Sequence, residues 1–309
     1  MILRFFAYLQ YLLIRVLGFL YELIPPSKAY SLGSCIARPF YRILRERRTV
    51  AIENILKAGI TESRNEADRI ASKAFAHLGG HICEAFKVPE VINKENWEDH
   101  IVFECSEECR KLVFDEREKP FILVTGHIGA WETGISLMSF TRPVIAIARK
   151  MNNPFVQKFM ETHHFRGAIT VIDKNKGLTP DVIRKWKRTG AVLAVMMDQH
   201  AGRKNGILID FMGRKAHTHT SPARLHLRSG IPVVVGAVIR EGPLKYRVIG
   251  GNPIRFESTG NRETDIKELL TLFTQRLENF VRQYPEQYLW AHKRWRKLRP
   301  LKNKSRSKV

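Results

Sequence analysis

Cysteine is scarce in this chain. Cys35, Cys83, Cys105 and Cys109 are the only four in 309 residues, with no CxxC pair and no paired metal-type spacing. That excludes a disulfide framework and a thiolate metal site, and it fits a reducing compartment. Cys105 and Cys109, four apart in a Glu-rich segment, read as one turn of a surface helix. The GxSxG elbow, the phosphate loop and the dinucleotide fingerprint are all missing; Gly126-His-Ile-Gly129 lacks the glycine pattern these need. No cofactor is therefore expected. RRM, KH and zinc-finger spacings are absent too. With no internal repeat and no low-complexity linker, one catalytic domain is the simplest account. Acidic residues are in deficit, 30 against 52 Lys and Arg, a formal charge of +22. The excess points to polyanionic partners: nucleic acid, anionic lipid or a phosphorylated substrate.

No apolar run is both long and uncharged. The longest, Phe5 to Tyr21, contains Gln10 and Arg15 and is closed by Pro25-Pro26. It sits at the lower limit of about 17 residues for spanning hydrocarbon, and a central Arg costs about 2.5–3.5 kcal/mol there. It lacks the small-residue cleavage site of a secretory signal. Residues 1–24 are thus expected to form a membrane anchor that lies in the interface or spans only with help from neighbours; a buried soluble helix is the alternative. Arg42, Arg45, Arg47 and Arg48 follow, which keeps the body on the cytoplasmic side. At the other end no acid follows Glu286, while Lys293, Arg294, Arg296, Lys297 and Arg299 interleave with Trp290 and Trp295. Trp with Lys and Arg suits a headgroup interface. Residues 301–309 read as a basic disordered tail. Nucleic-acid binding is the rival interpretation of this charge, but an apolar terminal helix is an odd companion for it, so no nucleic acid is expected.

Between these ends the pattern alternates. Strands are predicted at Phe121–Thr125, Pro143–Ala148, Ala168–Ile172, Ala191–Met197, Ile207–Phe211, Ile231–Ile239 and Lys245–Ile249. Helices are predicted at Trp131–Phe140, Pro154–His164, Thr179–Arg188, Ser221–Arg228 and Glu263–Tyr284, the last with Ile266, Leu269, Leu270, Phe273, Leu277, Phe280 and Val281 on its core face. The front part, Ser27–Val113, looks helical and charged. The expected class is α/β: a central, mostly parallel sheet flanked by helices over residues 25–300.

The chemistry concentrates in Pro120-Phe-Ile-Leu-Val-Thr-Gly-His-Ile-Gly-Ala-Trp-Glu132. An apolar strand feeds a glycine turn, which puts His127 at the carboxyl end of a strand, where open α/β sheets bind ligands. Residues five apart on one helix diverge by roughly 140°. A working His127–Glu132 pair therefore needs the loop, which lets the imidazole fold back on the carboxylate. Such a pair makes a general base, the carboxylate fixing the tautomer of a His that takes a proton from a hydroxyl. The alternative is a loop His beside a first-turn Glu that merely favours the helix dipole. Arg149, after the strand Pro143–Ala148, and Asp198-Gln199, after Ala191–Met197, would converge on the same crevice. Taken singly, Arg149 is equally a surface ion-pair partner and Asp198 a turn former. His217 and His219 lack the further ligands of a metal site, so none is expected.

These residues carry a resemblance. Thr125-Gly-His-Ile-Gly-Ala-Trp-Glu132 is similar to the TGHxGNWE block of the lipid A late acyltransferases, the lauroyl and myristoyl acyltransferases of the lysophospholipid acyltransferase-like superfamily. Ala148-Arg-Lys-Met-Asn-Asn-Pro154, Met197-Asp-Gln199, Phe211-Met-Gly213, Thr220-Ser-Pro-Ala223, Ser229-Gly-Ile-Pro232 and Pro285-Glu-Gln-Tyr-Leu-Trp290 match later blocks in order, so the likeness covers nearly the whole chain. Ala130 departs from it, standing where the family often has Asn. The resemblance implies a glycerolipid-acyltransferase-like fold with an amino-terminal anchor at the cytoplasmic face of the bacterial inner membrane. It implies transfer of a fatty acyl chain from acyl carrier protein, or from coenzyme A in relatives, to a hydroxyl of a phosphorylated glycolipid, the lipid A precursor. His127 and Glu132 would be the base pair. Arg149, or backbone amides near Gly129, would stabilise the oxyanion, with Asn153, Asp198 and Gln199 also in the site. Two alternatives stay open: an acyl-CoA-dependent enzyme acting on another glycolipid such as a phosphatidylinositol mannoside, and a non-catalytic polybasic membrane-binding protein.

Overall fold

The computed structural model describes residues 18–148, 153–163, 168–173, 179–203 and 205–296, with Tyr8, Tyr11, Leu12, Arg15 and Val16. Most of the segment expected to be the anchor, and the tail 301–309, lie outside these. Among the described residues no helix is long and apolar enough to cross a membrane.

Three helices come first: α1 (Pro26–Ile43), α2 (Arg45–Lys57) and α3 (Arg64–Val91). The Ser63 hydroxyl accepts from the Glu66 amide and caps α3, satisfying one of the amides that a helix start leaves unpaired. Then β1 (Ile101–Cys105) and a short helix α4 (Glu107–Arg110), continued as a π turn Lys111–Asp115, lead into the α/β body. The body runs β2 (Phe121–Thr125), α5 (Trp131–Thr141), β3 (Val144–Ala148), α6 (Pro154–His163), β4 (Ile169–Asp173), α7 (Pro180–Thr189) and β5 (Val192–Met196). A hairpin of β6 (Gly206–Phe211) and β7 (Arg214–His219) follows, then α8 (Ser221–Ser229), β8 (Val233–Gly242), β9 (Lys245–Gly250) and α9 (Arg262–Gln283).

The main sheet has seven strands in the order β1-β9-β8-β2-β5-β3-β4, parallel at every pairing except β8–β9. Two strands correct the sequence-based expectation. β1 lies in the segment expected to be helical; its alternation is shallow and its pairing comes from β9, more than 140 residues away. β7 holds His217 and His219 and pairs antiparallel with β6, not with the main sheet. The Met212-Gly213 turn between them has positive φ at both residues, 53° and 72°, the twist a two-residue hairpin demands.

Side chains alternate across the sheet. Ile122, Val124, Leu193, Val195, Val233 and Val235 face one side, where Ile266, Leu269, Leu270, Phe273 and Leu277 of α9 cover them in a continuous core. The other side, carrying Leu123, Thr125, Ala146, Ala148, Ala194, Met196 and Gly236, faces α5 across a cavity of about 150 Å³. Cys105 and Cys109 line that cavity too, and Cys109 is buried, so this pair is not a surface turn. Burial pushes the Cys109 thiol up to about 12, which makes it inert.

The turn from β2 into α5 depends on Gly129, whose φ is +64° and whose imagined Cβ would stand 2.0 Å from the Val238 carbonyl oxygen. Its amide donates to the Gln287 carbonyl at 2.9 Å, and the Ala130 amide donates to that of Val238 at 2.7 Å. Ala130, in the place of the family's Asn, is buried and gives α5 no side-chain cap. Gly129→Ala is expected to destabilise by about 2–4 kcal/mol, combining left-handed strain with backbone overlap. Gly213→Ala, at φ +72° with open space around it, should cost only about 1–2 kcal/mol. Urea unfolding of both variants checks this; equal losses would mean the close approach to β8 is unimportant.

Candidate active site

β2 and β5 are neighbours in register, Thr125 opposite Met196. Their carboxyl ends therefore bring the Gly126-His127 turn and the Asp198-Gln199 turn side by side. Asp198 grips His127 twice. The His127 backbone amide donates to Oδ2 at 2.9 Å, and Nδ1 lies 2.9 Å from Oδ1. Gly126 makes room, since a Cβ there would stand 3.1 Å from the Asp198 carboxyl carbon. Because the carboxylate can only accept, Nδ1 carries the proton and the Nε2 lone pair faces outward.

Electrostatics agree with that tautomer. Burial alone would push the Asp198 carboxyl up, but the His127 ring, its two hydrogen bonds and the nearby Arg294 outweigh it and hold Asp198 below its ordinary value. Burial would likewise depress the imidazole. The Asp198 charge and hydrogen bond, with a further contribution from Glu132, reverse this and raise His127 above 6.5. The carboxylate on Nδ1 is thus Asp198. Glu132, assigned that place from the sequence, acts on the ring as a nearby charge from the first turn of α5. The reason is topological: strand adjacency delivers Asp198 to the ring, whereas chain adjacency puts Glu132 on a helix leading away.

The other expected residues separate. The Gln199 Nε2 is 3.2 Å from Nε2 and 3.5 Å from Nδ1 of His127. Nearly equidistant from both, it lies across the ring and not in line with the Nε2 lone pair. Asn153 uses its side-chain oxygen to cap α6, accepting from Phe155 and Val156 amides at 3.0 and 3.3 Å. Arg149 lies outside the described residues. The amides of Gly129 and Ala130, expected as alternative oxyanion donors, are engaged by Gln287 and Val238. Trp131 sets its ring edge-on to His127 with centroids 5.4 Å apart and, with Glu132 and Thr125, lines the apolar cavity. His217 and His219 belong to the hairpin beside the site, and among the described residues no three His, Cys, Asp or Glu groups gather as a metal set.

The segment 285–296 contributes residues that the sequence pattern assigned elsewhere. Trp290 and Arg294, expected at a headgroup interface, are 2% and 3% exposed. Arg294 donates from Nη1 to the Gln199 and His217 carbonyls at 3.0 and 2.6 Å, and from Nη2 to Thr218 Oγ1 at 2.6 Å, locking the Asp198-Gln199 turn onto the hairpin. Tyr288 is buried beside Asp198; burial first and that carboxylate next keep its hydroxyl protonated. His292 accepts the His200 amide on Nε2 at 2.9 Å, and burial, reinforced by His127 and Arg294, pushes it down to about 4, so it is neutral. The block Pro285–Trp290 was the signal available; the basic run beyond it masked what Arg294 does.

An apolar cavity beside a carboxylate-held histidine is an arrangement compatible with acyl transfer to oxygen, and the family match below makes this protein an O-acyltransferase. The particular family follows from the whole chain: a family model for bacterial lipid A biosynthesis acyltransferases matches residues 3–297, and the chain belongs to that family. It is similar to the lipid A biosynthesis palmitoleoyltransferase of Escherichia coli, 24% identical over 272 residues covering 86% of this chain and 83% of the relative. A lipid A biosynthesis acyltransferase of Shigella flexneri matches to the same extent. Among solved structures, the 1-acyl-sn-glycerophosphate acyltransferase of Thermotoga maritima aligns with TM-score 0.34 and 13% identity over 81% of this chain and 98% of that one.

If His127 must be neutral to accept a proton, kcat/KM should rise with pH through an inflection above 6.5, because the folded-state value is raised. Asp198→Asn removes the charge and hydrogen bond that raise it, so the inflection should move down and kcat should fall about 10³–10⁴-fold as the tautomer is lost. An unshifted inflection in the variant would refute Asp198 as the partner of the base.

Proposed function

We propose that this protein transfers a fatty acyl chain from an acyl thioester, in the first place acyl carrier protein, to a hydroxyl of a lipid A precursor at the cytoplasmic face of the bacterial inner membrane. The observation that carries this reading is the His127–Asp198 pair beside the apolar cavity, whose lining residues Thr125, Trp131 and Glu132 flank His127 in the chain, in a member of the lipid A acyltransferase family. The family implies an acyl donor and a lipid A acceptor. An alcohol is a poor nucleophile at neutral pH. His127 Nε2 takes the hydroxyl proton as the oxygen bonds to the thioester carbonyl carbon. Asp198 stabilises the imidazolium, and the adjacent Glu132 charge adds to it. The tetrahedral intermediate then collapses, the carbon–sulfur bond breaks, and the leaving thiolate takes the proton from His127. In this scheme Gln199, whose Nε2 is 3.2 Å from the His127 Nε2, donates to the oxyanion, with Arg149 as the second donor.

The cavity suits the acyl tail. Small residues maintain it: Gly134, Ala146, Ala148 and Ala194 face it where larger side chains would close it. Binding at a membrane surface is supported by the exposed Leu23, Ile36, Phe40, Ile43 and Leu44, interspersed with exposed Arg38, Arg42 and Arg45.

Acyl transfer to a lipid A precursor, run with labelled acyl carrier protein and separately with acyl-CoA, tests the reading and the donor together. His127→Ala should lower the rate about 10²–10⁴-fold. Equal rates in wild type and variant would eliminate the mechanism, and transfer only to another glycolipid would replace the acceptor. Ala146→Leu, which narrows the cavity, should shift the preferred donor to shorter chains; competition between thioesters of different length measures it, and an unchanged preference would remove the cavity from the acyl path.

A further inference from the structure

A second pocket, of about 490 Å³, opens between α1, α3, β8 and the turn at 285–287. Unlike the acyl cavity it is polar, with Tyr30, Arg38, Lys73, His77, Arg240 and Glu286 among its walls. Arg240 is its fixed point. The Nε and Nη2 of Arg240 donate to the fully buried Glu84 carboxylate at 2.8 and 3.0 Å, and the guanidinium stacks 3.5 Å from the Tyr30 ring centroid. Glu84 also accepts from the Leu244 amide and the Tyr246 hydroxyl, so the arginine cannot swing away without stranding a buried charge. Its third nitrogen, Nη1, makes no hydrogen bond within the described residues. Arg38, exposed on α1, has no ion-pair partner among the described residues either. Lys73 is paired with Glu286 at 2.8 Å, and Arg69 approaches the same carboxylate at 3.4 Å. Counting Arg38, Arg69, Lys73 and Arg240 against Glu66, which pairs with Arg69 at 2.6 Å, Glu84 and Glu286, the pocket surround keeps a positive charge in excess, carried by Arg38.

Two of its wall residues, His77 and Gln287, bond to the turn that carries His127. His77 lines the pocket and its Nε2 donates to the Gly129 carbonyl at 3.0 Å, two residues beyond His127, while its Nδ1 is 3.1 Å from the Tyr30 hydroxyl. From the same side, the Gln287 carbonyl accepts the Gly129 amide. Arg38, at the outer rim, sits on the helix whose Ile36 and Phe40 are exposed, so the pocket joins the lipid-facing surface to the back of the catalytic turn. The volume falls in the range that encloses a small polar ligand.

We propose that this pocket is an anion site that takes a phosphate monoester of the acceptor glycolipid, holding its sugar end while an acyl-chain hydroxyl reaches His127. The proposal rests on the lipid A reading above for the identity of the acceptor, though not for the anion chemistry. Arg38→Gln and Lys73→Gln are the test variants, because both side chains are solvent-exposed and their loss should leave the fold intact; Arg240 is left alone because Glu84 depends on it.

The experiment compares kinetics on a phosphorylated lipid A precursor and on the same precursor dephosphorylated, with inorganic pyrophosphate binding followed by phosphorus NMR. The expected result is a rise of about tenfold in acceptor KM for each variant with kcat and donor KM little changed. That loss should shrink to less than about twofold on the dephosphorylated acceptor, and pyrophosphate binding should weaken in parallel. Equal losses on both acceptors, or no loss, would overturn the proposal. Inhibition by phosphatidylglycerol vesicles that disappears in Arg38→Gln would also overturn it, by assigning the pocket to surrounding headgroups. Should wild type transfer to no lipid A precursor, the functional reading fails by itself; the anion site then stands or falls on whether pyrophosphate binding depends on Arg38 and Lys73.

Discussion

A carboxylate buried at the end of a parallel strand is the constraint around which this site is organised. Asp198 is 5% exposed, and an ionised carboxyl in that setting is tolerable only if its oxygens are hydrogen-bonded and its charge is answered. The His127 amide and imidazole meet the first need, and the imidazole with Arg294 meets the second. Each answer fixes something further. Gripping both backbone and ring of His127 sets the ring's tautomer and orientation. Keeping Arg294 nearby folds the segment 285–296 under the site, with Asn54 of α2 holding the Trp290 and His292 carbonyls at 2.8 and 2.7 Å.

The two faces of the sheet are treated differently, and the difference has a chemical use. Against α9 the packing is continuous, with Leu269, Leu270 and Phe273 fully buried. Against α5 it is left open by alanine and glycine. The stable face supports β2 and β5, so that their ends hold His127 and Asp198 in place; the open face lies beside them. The turn Gly126–Ala130 thus stands between the apolar cavity on the α5 side and the polar pocket on the α1–α3 side.

Much of the body was legible because strands and helices here announce themselves locally. Phe121–Thr125 is bounded by proline and glycine, and α9 shows its core face by helical spacing. β1 was not legible, since a five-residue edge strand carrying Glu104 has little pattern of its own and is shaped by β9. Arg294 was misassigned for another reason. A guanidinium inside a basic run looks like solvent-facing charge, and only the three carbonyl and hydroxyl oxygens gathered around it show that it is buried.

The sequence by itself determined the family, the alternation of strands and helices, and the arrival of His127 at a strand's carboxyl end, because these rest on local order and composition. Which carboxylate meets His127 was decided by tertiary structure. Glu132 is five residues away along the chain, yet Asp198, 71 residues away, takes the ring nitrogen because β5 lies next to β2. Linear spacing reports contacts within one element. Contacts between elements follow strand order, and strand order is set by how the whole core packs.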